Sequence, residues 1–178
     1  MTKPKQNTTF KKDHTYKIPS KGLEILTTPT YDLQLRTPSD PVDLDDIATP
    51  QFQTFADALY KIMITAPLPE GWMPGGISAV QVGKHLNLFW GYDGDADMYE
   101  LFINPQIELL GNSQDVKEEG CLSIPEITGN VKRHKRIKVK YYDRGGELHK
   151  KEFKGWNARV IQHEYDHLLG ILFTDKMV

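Results

Sequence analysis

The chain contains a single cysteine among its 178 residues, so it cannot form an intramolecular disulfide bond. This excludes a small secreted scaffold held together by disulfides. Long apolar runs are also missing, because none approaches the roughly 20 residues that a transmembrane helix needs. The sequence therefore predicts a protein that does not cross a membrane, and its one thiol, Cys121, needs an explanation of its own.

Neither sign of charge is in large excess, since 22 Lys and Arg stand against 24 Asp and Glu, a net charge of −2. This balance argues against a dedicated nucleic-acid-binding protein. The N-terminal segment MTKPKQNTTFKKDHTYK has lysines but no arginine and no apolar stretch, which is unlike a secretory signal. We predict a polar, partly disordered tail at residues 1–20, a single domain at residues 21–178 and a cytoplasmic location.

Apolar periodicity predicts one helix early in the chain and several strands after it. Between residues 50 and 66, apolar residues recur at spacings of three and four behind Thr49, a candidate N-cap. Strand-like runs follow at residues 85–92, 98–105 and 136–143. A Gly-Gly turn predicts that the last of these runs forms a hairpin with the residues that follow it.

The last predicted element is a helix in NARVIQHEYDHLLG, residues 157–170. Asn157 is a candidate N-cap, and Gly170 is placed to end the helix at its C′ position. Together these patterns predict an α+β fold, in which antiparallel or mixed strands pack around this C-terminal helix.

The helix carries HEYDH, in which His163 and His167 lie four residues apart. At this spacing both imidazoles leave one helix face, about 40° apart. They can bind one metal ion, and Glu164 can reach a water on that ion without being a ligand. The plainer interpretation is two exposed histidines on an amphipathic helix. Against it, His163 shares its stripe with Val160 and Leu168, where an unligated histidine is costly to bury.

A catalytic metal held by two histidines needs a third protein ligand. Only 11 residues follow His167, and their one acidic side chain is that of Asp175. We therefore expect the third ligand upstream, where Cys121 is the only thiol. A thiolate and two histidines would leave the fourth tetrahedral position open for water. Two other interpretations of Cys121 stay open here, a small buried core residue and a nucleophile paired with histidine.

Three segments resemble the signature motifs of the peptide deformylase family. The segments EGCLS and HEYDHLLG, which contain Cys121 and the two histidines, match intact, and the stretch between them is also similar. The third segment, PGGISAVQVG at residues 74–83, is similar to the family's glycine-rich loop, GxGLAAxQVG. The resemblance extends over roughly residues 23–177 of the chain.

The glycine-rich loop departs from the family pattern at three positions. Pro74 replaces a glycine, Ile77 replaces a leucine, and Ser78 replaces an alanine. The proline would stiffen the loop, and the serine adds a hydroxyl where the family is usually apolar. We relate these departures to substrate preference more than to the chemistry.

The resemblance implies a metal-dependent hydrolase. Cys121, His163 and His167 would bind one divalent metal ion, and Glu164 would be the general acid/base. The family is associated with Fe²⁺, while Zn²⁺, Ni²⁺ and Co²⁺ are alternatives that the same kind of site accepts. The resemblance thus implies that residues 21–178 form a metallohydrolase catalytic domain.

The resemblance also implies roles for the loop and for the residues beside the cysteine. Gln81 and the backbone N–H of Leu122 would stabilise the oxyanion of the tetrahedral intermediate. Gly76, Ile77 and Gly120 would bind the substrate, and the backbone of Gly76 would pair with an extended peptide.

The reaction implied is hydrolysis of the N-formyl group from the N-terminal formylmethionine of newly synthesised proteins. Metal-bound water would be the nucleophile, and formate would be released. Two alternatives are a deformylase-like amidase acting on other N-acyl or formyl compounds, and a non-catalytic, metal-stabilised peptide-binding module.

The partners implied are N-formylmethionyl nascent peptides and a transient contact with the ribosome. The basic run at residues 131–140 is a candidate surface for that contact, although the wet face of a strand explains it more plainly. We expect a monomer that binds neither a membrane nor a specific nucleic acid.

Glu119, which lies two residues before Cys121, is expected to pair with Arg133.

Overall fold

The computed structural model describes residues 10–178. In chain order the helices and strands of these residues are α1 (Asp32–Leu35), α2 (Pro50–Ile64), β1 (Gly76–Ser78), β2 (Leu88–Asp93), β3 (Met98–Leu109), β4 (Gln114–Cys121), β5 (Ile124–His134), β6 (Arg136–Tyr142), β7 (Leu148–Lys154) and α3 (Gly155–Leu168). Short 3₁₀ turns occur at Leu44–Asp46, Ala79–Val82 and Phe173–Lys176. None of the helices between residues 10 and 178 has the length and hydropathy to span a bilayer.

The strands form one sheet of five and one hairpin. The five-stranded sheet has the order β1-β2-β3-β6-β7, and each neighbouring pair is antiparallel. Strands β4 and β5 pair only with each other, also antiparallel. The predicted α+β class with a C-terminal helix is confirmed. The order of the large sheet leaves β1 at one edge, with a single strand neighbour.

Helices α2 and α3 cover opposite faces of the five-stranded sheet. Leu88 and Trp90 of β2 belong to the apolar cluster that contains α2, whereas Phe89 between them belongs to the cluster that contains α3. This division follows from the two-residue repeat of a strand, which sends alternate side chains to opposite faces. Thr49 caps α2 as predicted, since its hydroxyl accepts the Phe52 N–H at 3.3 Å.

The predicted hairpin near the C-terminus is formed by β6 and β7. Ile137 lies opposite Phe153, and both are fully buried on the α3 side of the sheet. Lys138 and Lys140 alternate with the buried positions and are exposed. This part of the basic run is therefore the solvent-facing side of a strand.

The β4–β5 hairpin is not foreseen by the sequence patterns. Most side chains of β4 are exposed, so the strand lacks the alternation of apolar and polar residues that marks a half-buried strand. Its attachment to the body comes instead from a small apolar cluster, in which Ile124 and Val131 of β5 pack on Leu35, Leu172 and Phe173.

The N-terminus of α3 corrects one prediction. The helix begins at Gly155, after Lys154 as the N-cap residue, so the prediction that Asn157 caps it is wrong. Asn157 lies inside the first turn, and its side chain bonds to the loop after β2. It accepts the Gly94 N–H at 3.1 Å and donates to Asp93 at 3.2 Å. An asparagine that binds a neighbouring loop looks the same in sequence as one that caps a helix.

The segment that we predicted to be a polar tail is described from residue 10 onward, and there it contacts the domain. The carbonyl of Asp13 accepts the backbone N–H of His85 at 2.8 Å, and the Asp13 carboxylate pairs with Lys84 at 2.6 Å. Tyr16 packs against the cluster around α2. Residues 1–9 of the predicted tail lie outside the described residues.

Gly170 follows the end of α3 at the predicted C′ position, with φ of 74°. A Cβ at this position would lie 2.2 Å from the carbonyl oxygen of Arg36, so the helix end packs directly on the backbone after α1. Gly111 has a similar φ of 70°, but a Cβ there would meet no atom within 4 Å. A substitution at Gly111 therefore tests the cost of the left-handed backbone alone. A substitution at Gly170 adds the cost of the clash with Arg36.

We expect Gly170→Ala to lower the free energy of unfolding by about 3 kcal/mol, since a left-handed alanine and an overpacked backbone contact both oppose it. Gly111→Ala, the matched control, carries only the conformational cost and should lose about 1 kcal/mol. Urea denaturation of the two variants measures both values. Equal losses would contradict the close packing of Gly170 on Arg36.

Candidate active site

The three predicted metal ligands come together between the β4–β5 hairpin and α3. Cys121 ends β4, and His163 and His167 lie on the side of α3 that faces it. One ligand atom from each side chain lies within 4.8 Å of the others. The Cys121 Sγ and the His167 Nε2 are 3.2 Å apart. A thiol and two imidazoles that converge in this way fit the donor set of a transition-metal site.

Glu119 fixes the orientation of the His163 ring. The His163 Nδ1 is 2.9 Å from a Glu119 carboxylate oxygen, which leaves Nε2 free to face Cys121. Burial disfavours charge on this imidazole, but Cys121 and Glu119 outweigh burial and raise the pKa of His163 to about 10. Surroundings that favour a proton on this ring also favour a metal cation at its free nitrogen.

His167 is set up differently. It is 1% exposed, and burial, together with the neighbouring His163 and Arg133, lowers the pKa of His167 well below its ordinary value. The ring is therefore neutral, which is the form in which imidazole binds a metal.

Glu119 is the centre of a buried ion network. Arg133 donates to both of its carboxylate oxygens at 2.8 Å, which confirms the expected pair, and Arg159 donates to one of them at 2.6 Å. Arg133 also pairs with Asp166 at 2.5 Å. Asp166, which precedes His167, is therefore part of the same ion network. Burial alone would raise the pKa of Glu119, but hydrogen bonds from Arg133 and His163 outweigh it and hold that pKa well below its usual range.

Glu164 lies beside the histidines and is 3% exposed. Burial raises the pKa of the Glu164 carboxyl to about 7, against the opposing effects of His163 and Ser78. The Ser78 hydroxyl donates to its Oε2 at 2.8 Å. A Cβ on Gly76 would lie 2.7 Å from the Glu164 Cγ, so only glycine lets β1 pass this close to the side chain.

Gln81 faces the cysteine from the 3₁₀ turn after β1. Its Oε1 accepts the Ser78 backbone N–H at 2.8 Å, which directs its Nε2 toward the Ser123 hydroxyl at 3.1 Å and the Cys121 Sγ at 3.6 Å. Leu122 is half-buried in the turn between β4 and β5, next to the cysteine. Both predicted oxyanion donors therefore border the space between the hairpin and β1.

A cleft of about 490 Å³ opens onto these groups. Gly76 lines it on the β1 side, and Gly120 lines it on the β4 side. Ile77, the third predicted substrate-binding residue, has its side chain fully buried in the α2 cluster, so only its backbone can face this region. Trp72 and Trp156 stand at the rim, 60% and 51% exposed.

Several residues of the site are not identified by the sequence patterns. Arg159 is 2% exposed on α3, although an arginine in a helix is usually a surface residue. Trp156 and Trp72 line the cleft without belonging to any motif. Ser78 was singled out for substrate preference, but its hydroxyl points to Glu164. The available signal was its departure from alanine in a loop that otherwise fits the family.

Comparison with known proteins gives one family. The model of the family described as polypeptide deformylase matches residues 23–178. Peptide deformylase 2 of Xanthomonas campestris pv. campestris is 38% identical over 147 residues, which are 82% of each chain. The peptide deformylase of Treponema pallidum subsp. pallidum is 40% identical over 145 residues, 80% of this chain and 82% of that protein.

Solved structures of similar fold carry the same name. The class I type b peptide deformylase from Acinetobacter baumannii bound to Met-Ala-Ser has a TM-score of 0.77 at 29% identity, covering 87% of this chain and 98% of that one. The peptide deformylase from Thermotoga maritima has a TM-score of 0.71 at 34% identity, covering 88% of this chain and 97% of that one.

Arg133→Met should lower the free energy of unfolding by about 3 kcal/mol, because it removes the buried cation that Glu119 and Asp166 share and leaves Asp166 with Lys176 alone. Urea denaturation measures the loss, with both proteins loaded with the same metal, since a bound ion adds to apparent stability. Arg136→Met is the matched control: this arginine pairs with Glu152 at the surface, and its loss should leave the midpoint unchanged. Similar losses in both variants would show that the buried network adds little.

Proposed function

Since this chain belongs to the polypeptide deformylase family, whose members hydrolyse the N-formyl group from formylmethionyl peptides, we propose that Cys121, His163 and His167 hold the metal for this reaction and that Glu164 moves its protons. The observation that carries this assignment is the convergence of the three ligand atoms within 4.8 Å, beside a buried carboxylate.

The metal is a single divalent ion, and Fe²⁺ is our assignment among Fe²⁺, Zn²⁺, Ni²⁺ and Co²⁺. One thiolate and two imidazoles suit iron and zinc in particular. When bound, such an ion makes water a better nucleophile near neutral pH and polarises the formyl carbonyl. The protein's own part is to orient the donors, and Glu119 supports this role by fixing the ring of His163.

Glu164 is the general acid/base. Its carboxylate accepts a proton from the attacking water and delivers a proton to the departing amine of the peptide. Its burial beside the proposed ligands supports this role. Burial raises the pKa of the carboxyl group, so Glu164 can hold a proton near neutral pH and then donate it to the leaving amine.

The oxyanion of the tetrahedral intermediate is stabilised by the Gln81 side chain and the backbone N–H of Leu122. Ser78 holds the Gln81 amide by its oxygen, so the amide nitrogen stays on the Cys121 side. A donor held in place before the reaction needs no reorganisation as charge develops, and one such donor contributes about 3–4 kcal/mol.

The substrate is the N-terminus of a nascent formylmethionyl peptide, held in extended form along β1. The position of β1 at the sheet edge supports this, since an edge strand has backbone groups free to pair with a peptide. Apolar side chains of the cleft, among them Ile127, Trp156 and Val160, suit the methionine side chain. The similar structure from Acinetobacter baumannii is bound to Met-Ala-Ser, a peptide that begins with the unformylated methionine that this reaction would produce.

We also infer a monomer that works in the cytoplasm and contacts the ribosome transiently. A cytoplasmic location suits the assigned ligand Cys121, because the reducing environment keeps thiols from oxidising. The exposed Lys138 and Lys140 of β6 support a contact with phosphate groups that depends on charge and not on base sequence.

Glu164→Ala should slow deformylation by about 10²–10⁴-fold, the usual contribution of a general acid/base. The assay is the release of free amine from formyl-Met-Ala-Ser by metal-loaded protein without oxygen. The surface variant Glu108→Ala is the control and should keep full activity. An unchanged rate in a folded, metal-loaded Glu164→Ala variant would refute the role of Glu164. Faster release from acetyl-Met-Ala-Ser than from the formyl peptide would favour the amidase alternative.

Cys121→Ser should weaken metal binding by more than the roughly 10–100-fold that loss of an outer hydrogen-bond partner costs, because it removes a ligand. Chelator competition measures the affinity, and circular dichroism tests that the fold is kept. Activity should fall with metal content. A variant that kept both would show that Cys121 is only a packed core residue.

A further inference from the structure

The Ser78 hydroxyl is fully buried at the end of β1 and lies against Glu164. It donates to the carboxylate Oε2 at 2.8 Å, and the backbone carbonyl oxygen of Glu164 is 3.0 Å away. Within residues 10–178, this is the only hydrogen bond that the Glu164 carboxylate makes. The residue does not line the cleft, so its hydroxyl is not available to a substrate.

We propose that Ser78 is a positioning residue for the reaction: it holds one oxygen of the Glu164 carboxylate so that the other faces the cleft. This inference rests on the proposed role of Glu164. A glutamate side chain has three rotatable bonds, and a carboxylate without a partner would sample several directions. A hydrogen bond to one oxygen selects a single direction, in which the second oxygen can exchange protons with water and substrate.

Close packing and this hydrogen bond together restrict the direction in which the Glu164 carboxylate points. The side chain passes so close to Gly76 that a Cβ there would lie 2.9 Å from the Glu164 Cδ. That contact blocks one side of the carboxylate but provides no hydrogen bond. Ser78 lies two residues further along the same strand and supplies the donor. The strand therefore both confines Glu164 and orients it.

Ser78 also contacts both side chains to which the proposed function gives a role in the reaction, Glu164 and Gln81. Its hydroxyl contacts Glu164, while its backbone N–H donates to the Gln81 Oε1 at 2.8 Å. Any residue except proline provides the backbone contact at this position, whereas alanine, the family's usual residue, has no side-chain donor for Glu164. The replacement of the family's usual alanine by serine thus adds a link to the proton-transfer group without altering the link to the oxyanion donor.

The test is Ser78→Ala in the metal-loaded enzyme with formyl-Met-Ala-Ser. We expect kcat to fall about tenfold, the equivalent of one hydrogen bond to a charged group, with KM and metal content unchanged. Ser78→Thr keeps the hydroxyl and should restore kcat to within about threefold of the original enzyme. The control is Ser39→Ala, which also removes a buried hydroxyl, one without a partner among the described residues, and should leave kcat unchanged.

A Ser78→Ala enzyme with unchanged kcat would overturn the proposal, as would a rise in KM alone or a loss of kcat that follows a loss of metal. A folded, metal-loaded Ser78→Thr enzyme as slow as Ser78→Ala would also overturn it. Glu164→Ala separates this outcome from a failure of the proposed function. If Glu164→Ala is inactive while Ser78→Ala is fully active, only the positioning role fails; if Glu164→Ala is fully active, the proposed function fails as well.

Discussion

The Glu119 carboxylate accepts hydrogen bonds from two arginines and one histidine where β4, β5 and α3 meet. The Glu119 carboxylate and the two guanidinium groups would each be costly to bury alone, but as hydrogen-bonded ion pairs they neutralise one another. This arrangement matters because the predicted metal ligands belong to different elements: Cys121 to the hairpin, and His163 and His167 to the helix. The apolar cluster around Ile124 and Val131 attaches the hairpin to the domain, and the Glu119 carboxylate adds the polar contacts that connect the hairpin to α3. The position of the thiol relative to the imidazoles depends on these contacts.

A second constraint comes from the other side of the cleft, where β1 passes over Glu164. Gly76 has ordinary backbone angles for a strand, so its importance does not come from a left-handed conformation. It comes from the absence of a side chain, which lets the strand backbone approach a buried carboxylate. The predicted ligands and Glu164 are thus held from two sides of α3, by the Glu119 ion network on the hairpin side and by close packing on the β1 side.

The sequence predicts the parts of this site that depend on local spacing. The four-residue interval in HEYDH brings His163 and His167 to one helix face, and the motif EGCLS directs attention to Cys121. It also predicts α2 and the β6–β7 hairpin, because their apolar residues follow the helix and strand periods. It does not predict β4 and β5, since most side chains of β4 are exposed and the hairpin's apolar and ionic contacts with the rest of the domain are made by residues far apart in the chain. Asn157 was wrongly assigned as a cap for a similar reason: its amide meets the loop after β2, a partner that no local pattern reveals.

Strand β1 is only three residues long and stands at the end of the sheet. Unpaired sheet edges are a hazard in solution, because two copies of a protein can join through them and begin to aggregate. An edge of three residues offers few backbone groups for pairing between two folded copies. A short stretch of extended peptide needs no more than this to pair with it. The short length of β1 therefore disfavours pairing between two folded copies but still allows pairing with a short peptide.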